Sequence, residues 1–322
     1  MENFTKINLI ERRNMAIDEL VKYYAEYRKY KFINGYELRG IAIRKKINFI
    51  IKLILKIDQV LSKEEIIVIS DRHNKNNDVP KIYACTHIGG NDIQRTFQVI
   101  KTPAYLMLGD PGILYRMPIY QGLKLNGVIP LETGDREDRK IAYHRSIELL
   151  KKGGNLLIYP EGAWNVSPNS IVMKTFNGAV RMAMETGAEI VPIGVEQYDK
   201  KFYFNIGKEY NISCETQKSV DELNGELRDK LAKLKWEIME LQPILQRKEI
   251  PYNYVREFQE EIINRCNYGY GFSLEDALRE SFHDKDITTE EVVFSFLEDL
   301  DLNENNAFLA KDKREYILKK NR

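Results

Sequence analysis

Ile82-Tyr83-Ala84-Cys85-Thr86-His87-Ile88-Gly89-Gly90-Asn91-Asp92 passes from a β-branched and aromatic run, through a glycine pair, into the start of a helix. The polar turn over residues 71–78 closes the run upstream, so residues 82–85 read as a buried strand. Gly89 and Gly90 permit a tight turn and close approach of a ligand. Asp92-Ile93-Gln94-Arg95 then opens a helix. This order puts His87 at the carboxyl end of a strand, where α/β sheets place their sites.

The same alternation continues on both sides. Ile66-Ile67-Val68-Ile69 reads as a preceding strand; Leu156-Leu157-Ile158-Tyr159 and Ile190-Val191-Pro192-Ile193-Gly194-Val195 read as later ones. Residues 143–152 and 177–186 carry helical patterns between them, the second closed by Gly187, and residues 201–206 add a late strand. Strands separated by helices predict an α/β fold, a mixed and largely parallel sheet flanked by helices. Helical extensions are expected at both ends, so the chain divides into an N-terminal segment (1–61), an α/β domain (62–212) and a C-terminal helical region (213–322).

In the first segment Ile47, Ile50, Ile51, Ile54 and Leu61 share one helical face, while Lys45, Lys52 and Lys56 share another. Such a helix either lays basic side chains on an anionic membrane or packs its isoleucine stripe on the core and solvates its lysines. In the last segment Leu223, Leu227, Leu231, Leu234, Ile238 and Leu241 recur at helical spacing.

Composition narrows the function classes. Forty-nine Lys+Arg against 48 Asp+Glu leave a net charge of +1, unlike the strongly basic footprint of a general nucleic-acid binder. Cys85, Cys214 and Cys266 are odd in number and far apart, which argues against a disulfide framework or a zinc site and suits a reducing cytosol. The opening Met-Glu-Asn-Phe-Thr-Lys lacks an apolar signal core, and no apolar run approaches the roughly 20 residues that span a bilayer. A soluble or peripheral cytoplasmic protein is expected.

Two loops carry candidate chemistry. Asp92, five positions after His87 across a glycine turn, can accept an imidazole N–H, fixing the tautomer and leaving the other ring nitrogen as a base. Acids fill 48 of 322 positions, so the four histidines would meet such a partner by chance about 0.6 times, and the spacing needs its strand–glycine–helix context. The second loop, Tyr159-Pro160-Glu161-Gly162-Ala163-Trp164-Asn165, also follows a buried strand and brings Glu161 and Gly162 to the same sheet edge.

Together these stretches resemble the glycerolipid (lysophospholipid) acyltransferase family. That family reads His-x4-Asp, later Phe-Pro-Glu-Gly-Thr-Arg, later an apolar strand with Val-Pro. Here those positions are His87-x4-Asp92, Tyr159-Pro160-Glu161-Gly162 and Ile190-Val191-Pro192-Ile193-Gly194. Pro118-Ile119-Tyr120-Gln121-Gly122 with Asn126-Gly127-Val128-Ile129 resembles the family's second block, and Phe176-Asn177-Gly178-Ala179 its Phe-x-x-Gly-Ala. The likeness covers about residues 62–210.

The resemblance implies transfer of a fatty acyl group from acyl-CoA or acyl carrier protein to a hydroxyl of a lysolipid or other lipid-linked acceptor, at a membrane surface and on its cytoplasmic side. His87 would be the general base and Asp92 its orienting partner; no resident cofactor or metal is required. Gly90, Glu161 and Gly162 would line the acceptor site. The chain departs from the family where a phosphate is gripped. Ala163-Trp164 stands for Thr-Arg, and Leu131-Glu132-Thr133 for the ending of the second block, with Arg136 and Arg139 displaced downstream. An arginine fork suits a phosphate and an indole does not. Either Arg116, Arg136, Arg139 or Lys174 substitutes, or the acceptor lacks that phosphate and Trp164 stacks on a sugar or an acyl chain, or fills the core. Two rival functions share the fold: a catalytically silent membrane- or partner-binding protein, and a thioester hydrolase.

Cys85 reads as a buried strand residue, and His73, His144 and His283 as surface or packing histidines. Asp301-x-Asn303-x-Asn305-Asn306 resembles the start of a calcium loop but lacks the glycine at its sixth position and the glutamate at its twelfth.

Overall fold

Seven strands make one sheet in the order β1-β7-β6-β2-β5-β3-β4. They are β1 (Glu65–Asp71), β2 (Lys81–Cys85), β3 (Ala104–Gly109), β4 (Val128–Leu131), β5 (Asn155–Ile158), β6 (Glu189–Tyr198) and β7 (Lys201–Ile206). Every neighbouring pair is parallel except β6 and β7, which form an antiparallel hairpin. The sheet is mixed and largely parallel, flanked by helices, as expected. The computed structural model describes residues 4–74, 78–116, 118–213, 216–243, 246–265, 273–275, 278 and 295–320. Cys214, Cys266 and His283 lie outside the described residues.

The helices of the larger unit are α1 (Leu9–Asn14), α2 (Ile17–Ile33), α3 (Ile41–Leu61), α4 (Asp92–Val99), α5 (Pro118–Asn126), α6 (Arg136–Lys151), α7 (Gly178–Thr186), α8 (Val220–Met239) and α9 (Tyr254–Asn264). Side chains alternate along each strand, so β2 feeds two cores. Ile82 and Ala84 join Leu149, Met182, Leu227 and Leu231 of α6, α7 and α8 on one face. Tyr83 and Cys85 join Phe97 of α4 and the inward residues of β6 and β7 on the other. All five residues of β2 are buried, which fixes the strand that carries His87. The reading did not separate β3 and β4; β4 is four residues long and holds Pro130, tolerated because it is an edge strand.

Chain contacts divide the molecule into Met1–Phe282 and His283–Arg322. The helical flanks up to α9 belong with the sheet. Gly194 of β6 shows why for α8: a β-carbon there would meet the Leu234 and Lys235 backbone at 2.7 Å, so the helix lies directly on the strand. A capping box, Ser219 with Glu222, starts α8.

Helix α3 inverts its expected packing. Arg44 and Gln59 are its buried residues, while Ile43, Phe49, Ile50, Leu53, Ile54, Ile57, Val60 and Leu61 are exposed. Lys52 is half-buried and donates to the Ile100 carbonyl at 2.8 Å, and Lys56 donates to Gln59 Oε1 at 3.0 Å. The inward side is polar at Arg44, Lys52 and Gln59 because partners await them, while Ile41 and Leu55 pack on the core beside them. Arg44 donates to Asn126 Oδ1 at 3.0 Å and to the Ala104 carbonyl, over the Tyr105 ring.

In the smaller unit, α10 (Ala310–Lys320) follows the loop read as calcium-like. Its asparagines bond to backbone: Asn306 Nδ2 donates to the Asp301 carbonyl at 2.9 Å, and the Asn305 amide donates to Asn303 Oδ1 at 2.9 Å.

Candidate active site

β2 and β5 are neighbours, Ala84 opposite Ile158, so the loops after them lie side by side. Thr86 anchors the first loop to β6: its hydroxyl accepts from the Val195 amide at 2.8 Å and donates to the Val195 carbonyl at 3.2 Å. His87 follows, with its Nδ1 2.7 Å from Asp92 Oδ2. The Ile88 and Gly89 amides donate to that same oxygen at 2.9 and 3.1 Å. Asp92 is 1% exposed; three donors on one oxygen hold it as an acceptor, so His87 Nδ1 carries the proton and Nε2 has the free lone pair. The imidazole rests on the Tyr159 ring, centroids 4.2 Å apart.

Glu161 ties the two loops together. It is fully buried, and its carboxylate accepts from the His87 amide at 3.0 Å and the Met173 amide at 2.8 Å. Burial raises its pKa, opposed by the charge of Lys235 on α8 and by these amides. Both oxygens are committed to backbone, so Glu161 positions the loops instead of facing an acceptor. Gly162 has φ +74°, and a β-carbon there would meet the Phe176 ring at 2.4 Å; the glycine of one block is seated on the phenylalanine of the next.

Trp164 stands edge-on to His87, centroids 6.3 Å apart. It packs with Val166 against Phe258 and Ile262 of α9. A side chain at Gly89 would meet the Trp164 ring at 3.1 Å and Ile262 at 3.5 Å; one at Gly90 would meet Arg265 at 3.2 Å. Helix α9 therefore covers the His87 loop, and Trp164 is its seat. Arg265, at the end of α9, donates to the Gln197 carbonyl at 3.3 Å and to Glu261 at 2.8 Å.

Two of the other expected cations, Arg136 and Arg139, lie away from this site. Arg136 and Arg139 are exposed at the start of α6, beyond β4, and Arg139 donates to the Thr133 carbonyl. Since β5 and β3 lie between β2 and β4, three strand spacings, roughly 14 Å, separate β4 from the histidine strand. Arg116 is exposed at the end of a short 3-10 turn after β3, and Lys174 is exposed as well. Glu132 and Asp138 are held by a residue that the sequence reading passed over, Arg28 of α2. Its Nε and Nη2 donate to the two oxygens of Asp138 at 2.8 and 2.5 Å, its Nη2 also reaches Glu132 at 3.1 Å, and its Nη1 reaches the Tyr115 hydroxyl at 2.6 Å. Lys235 and α9 were likewise passed over, because only folding brings them beneath and above the loops.

Cys85 is buried, and burial followed by the Asp92 charge pushes its thiol pKa well up, so it is a packing residue and no nucleophile.

A carboxylate-oriented histidine at the carboxyl edge of a largely parallel sheet is an arrangement capable of general-base chemistry. Residues 66–196 match the Acyltransferase family model. A chloroplastic 1-acyl-sn-glycerol-3-phosphate acyltransferase of Arabidopsis thaliana is 29% identical over 117 residues, which are 36% of this chain and 32% of that protein. A chloroplastic enzyme of the same description from Brassica napus is 28% identical, over 36% of this chain and 33% of its own length. This chain thus spans about a third of the length of these curated relatives. The crystal structure of the 1-acyl-sn-glycerophosphate acyltransferase PlsC from Thermotoga maritima superposes with a TM-score of 0.51 at 17% identity, covering 72% of this chain and 95% of that one. Over residues 66–196 the chain is thus similar to acyltransferases, and the sheet with its flanking helices has the fold of the Thermotoga maritima structure.

Proposed function

We propose that the protein is an O-acyltransferase, moving a fatty acyl group from a thioester carrier, coenzyme A or acyl carrier protein, to a hydroxyl of a lysophospholipid or other lipid-linked acceptor. The observation that carries this reading is the His87–Asp92 contact of 2.7 Å, with Asp92 itself fixed by the Ile88 and Gly89 amides. His87 Nε2 takes the proton of the acceptor hydroxyl as its oxygen attacks the thioester carbonyl. The new C–O bond forms, the C–S bond breaks, and the imidazolium returns the proton to the departing thiolate. Asp92 balances the imidazolium charge meanwhile. No acyl-enzyme is needed, in keeping with the buried Cys85.

The substrate for which these relatives are named, a 1-acyl-glycerol phosphate, supports a lysophosphatidic acid as the first acceptor to test. Attachment to the cytoplasmic face of a membrane is part of the same reading. No described helix is long and apolar enough to cross a bilayer, but the outward apolar face of α3 suits insertion to headgroup depth. This replaces the lysine face considered from sequence, since Lys52 and Lys56 are engaged with the protein.

The decisive assay incubates the full chain with a radiolabelled acyl thioester of coenzyme A or of carrier protein, vesicles, and lysophosphatidic acid or a neutral lysolipid. Labelled diacyl product is expected. Free fatty acid as the sole product would instead identify a hydrolase, and no turnover of either thioester a silent binding protein. In flotation with the same vesicles, Leu53→Gln with Ile54→Gln should weaken binding about tenfold, whereas Lys45→Gln should change it less.

A further inference from the structure

Beyond the edge strand β4, between α2 and α6, lies a cleft of about 660 Å³ that shares no residue with the His87 site. Its lining carries six cations against one acid, Glu37, and Glu37 is turned to Lys152 at 2.9 Å. Arg28, committed to Asp138 and Glu132, forms part of the wall. Among the described residues no carboxylate pairs with Arg12, Lys31 or Arg39. Burial, then the neighbouring charges of Arg12 and Lys31, lower the pKa of Lys124 in the same wall. Crowded like charges of this kind are relieved by a polyanion.

Three tyrosines line the cleft as well: Tyr24, Tyr27 and Tyr36. Lys31 sits 4.3 Å over the Tyr27 ring and Lys124 5.8 Å from the Tyr24 ring, so these cations are already held against aromatic faces. The volume is that of a whole small-molecule site, far more than one phosphate fills. Location narrows the ligand further. The cleft lies outside β4, itself roughly 14 Å from the histidine strand by three strand spacings. A glycerol phosphate whose hydroxyl meets His87 does not extend that far. A ligand gripped here by its charged head takes part in the reaction only if its reactive group sits on a long arm.

We propose that this cleft binds the phosphorylated nucleoside head of the acyl donor, a ligand of the adenosine 3′,5′-bisphosphate class, with the thioester arm running along the sheet edge toward His87. The assignment rests on the acyl-transfer reading for its purpose but not for its test, which is binding alone. The cations take the phosphates, and a tyrosine face, Tyr36 being exposed and uncommitted to the core, takes the base.

Titration calorimetry on the full chain, with adenosine 3′,5′-bisphosphate, inorganic phosphate and a short-chain phosphatidic acid as separate probes, tests it. Saturable nucleotide binding, tighter than either other probe and weakened by salt, is expected. Lys31→Ala with Arg39→Ala should lower the affinity about ten- to a hundredfold with an unchanged melting temperature, since both side chains reach the surface. Tyr36→Ala should weaken the nucleotide and leave phosphate unaffected. His87→Ala should bind as wild type does. Absence of nucleotide binding, equal or tighter binding of phosphate or phosphatidic acid, or an affinity indifferent to the double substitution each overturns the assignment. Should transfer from acyl carrier protein proceed without nucleotide binding, the cleft assignment falls while the acyl-transfer reading stands. Nucleotide binding through Lys31 and Arg39 without any transfer is the reverse case.

Discussion

At the ends of β2 and β5 the buried carboxylates serve backbone amides and an imidazole; at the end of β4 they serve a guanidinium as well as the Glu132 amide. Asp92 and Glu161 accept from the amides of Ile88, Gly89, His87 and Met173; three of these lie within twelve residues of their carboxylate, and only the His87 amide, 74 positions from Glu161, comes from afar. Asp138 and Glu132 are held by Arg28, 110 and 104 positions away. The first arrangement fixes two loops and, among the described residues, leaves one imidazole nitrogen unclaimed. The second clamps a helix to an edge strand and leaves nothing unclaimed. On the acyl-transfer reading the first end reacts while the Arg28 cluster holds the fold, and substitutions at His87 and at Arg28 should separate activity from stability.

The largest expected effect lies at the β2 end. His87→Ala should lower turnover by about 10² to 10⁴ while the melting temperature stays within a few degrees, since Asp92 keeps the Ile88 and Gly89 amides when the imidazole is gone. Asp92→Asn should lose most of that rate as well: the amide no longer compels Nδ1 to carry the proton. Full turnover in purified His87→Ala protein would refute the general-base role.

Arg28→Ala should do the opposite. It leaves Asp138, 2% exposed, and Glu132 without their cation. The cost should be about 3 kcal/mol, the low end for a broken buried pair because Arg28 keeps some contact with water. Denaturant unfolding checks it. Turnover per folded molecule at saturating donor should stay near wild type; a collapse of turnover without loss of stability would erase the distinction between the two ends.

Glu161→Gln falls between the two. An amide can accept from only one of the two N–H groups that the carboxylate serves, and a buried donor left unmet costs about 1–3 kcal/mol. The pH dependence has a definite sign. Burial raises the folded-state pKa of Glu161, so above its unfolded pKa the folded form bears the cost of a buried charge. That cost grows as pH rises from the ordinary glutamate range to the raised value, and vanishes below the ordinary range. The stability gap between wild type and Glu161→Gln should accordingly narrow as pH rises through that window. A gap that widens would mean that the ionised carboxylate is favoured by its amides beyond its burial.

The same contrast explains what could be read from sequence. The β2 and β5 ends are local: strand, glycine turn and carboxylate follow within a few residues, so His87, Asp92, Glu161 and Gly162 were legible, as was the alternation that gives the sheet. Legibility of residue did not extend to role, because only the folded loops reveal that both Glu161 oxygens face backbone amides. The β4 end is non-local. Arg28 sits in an α2 sequence full of Lys, Arg and Tyr, with nothing to single it out. Helix α3 misled for a related reason: its apolar stripe is regular, but the decision of which face turns inward was made by distant partners, Asn126, Ala104 and Ile100.

The smallest effect concerns Trp164, and it asks whether the β5 end becomes more like the β4 end when given a cation of its own. Trp164 occupies the position of the family's arginine, and its ring is the floor on which Phe258 and Ile262 of α9 rest. Trp164→Arg brings a guanidinium to that position and removes the floor. A new charge-assisted contact to a phosphate contributes about 1.5 kcal/mol at best in a partly open site, so use of a phosphate-bearing acceptor over a neutral one should rise by about tenfold or less. The gain requires α9 to loosen, because an arginine beneath Phe258 and Ile262 must reach past them to water. Amide hydrogen exchange should therefore speed up in α9 and remain unchanged in α8, whose seat on Gly194 is untouched. If α9 stays protected and the acceptor ratio does not move, the indole is a replaceable filler and the covering of the His87 loop by α9 does not depend on it.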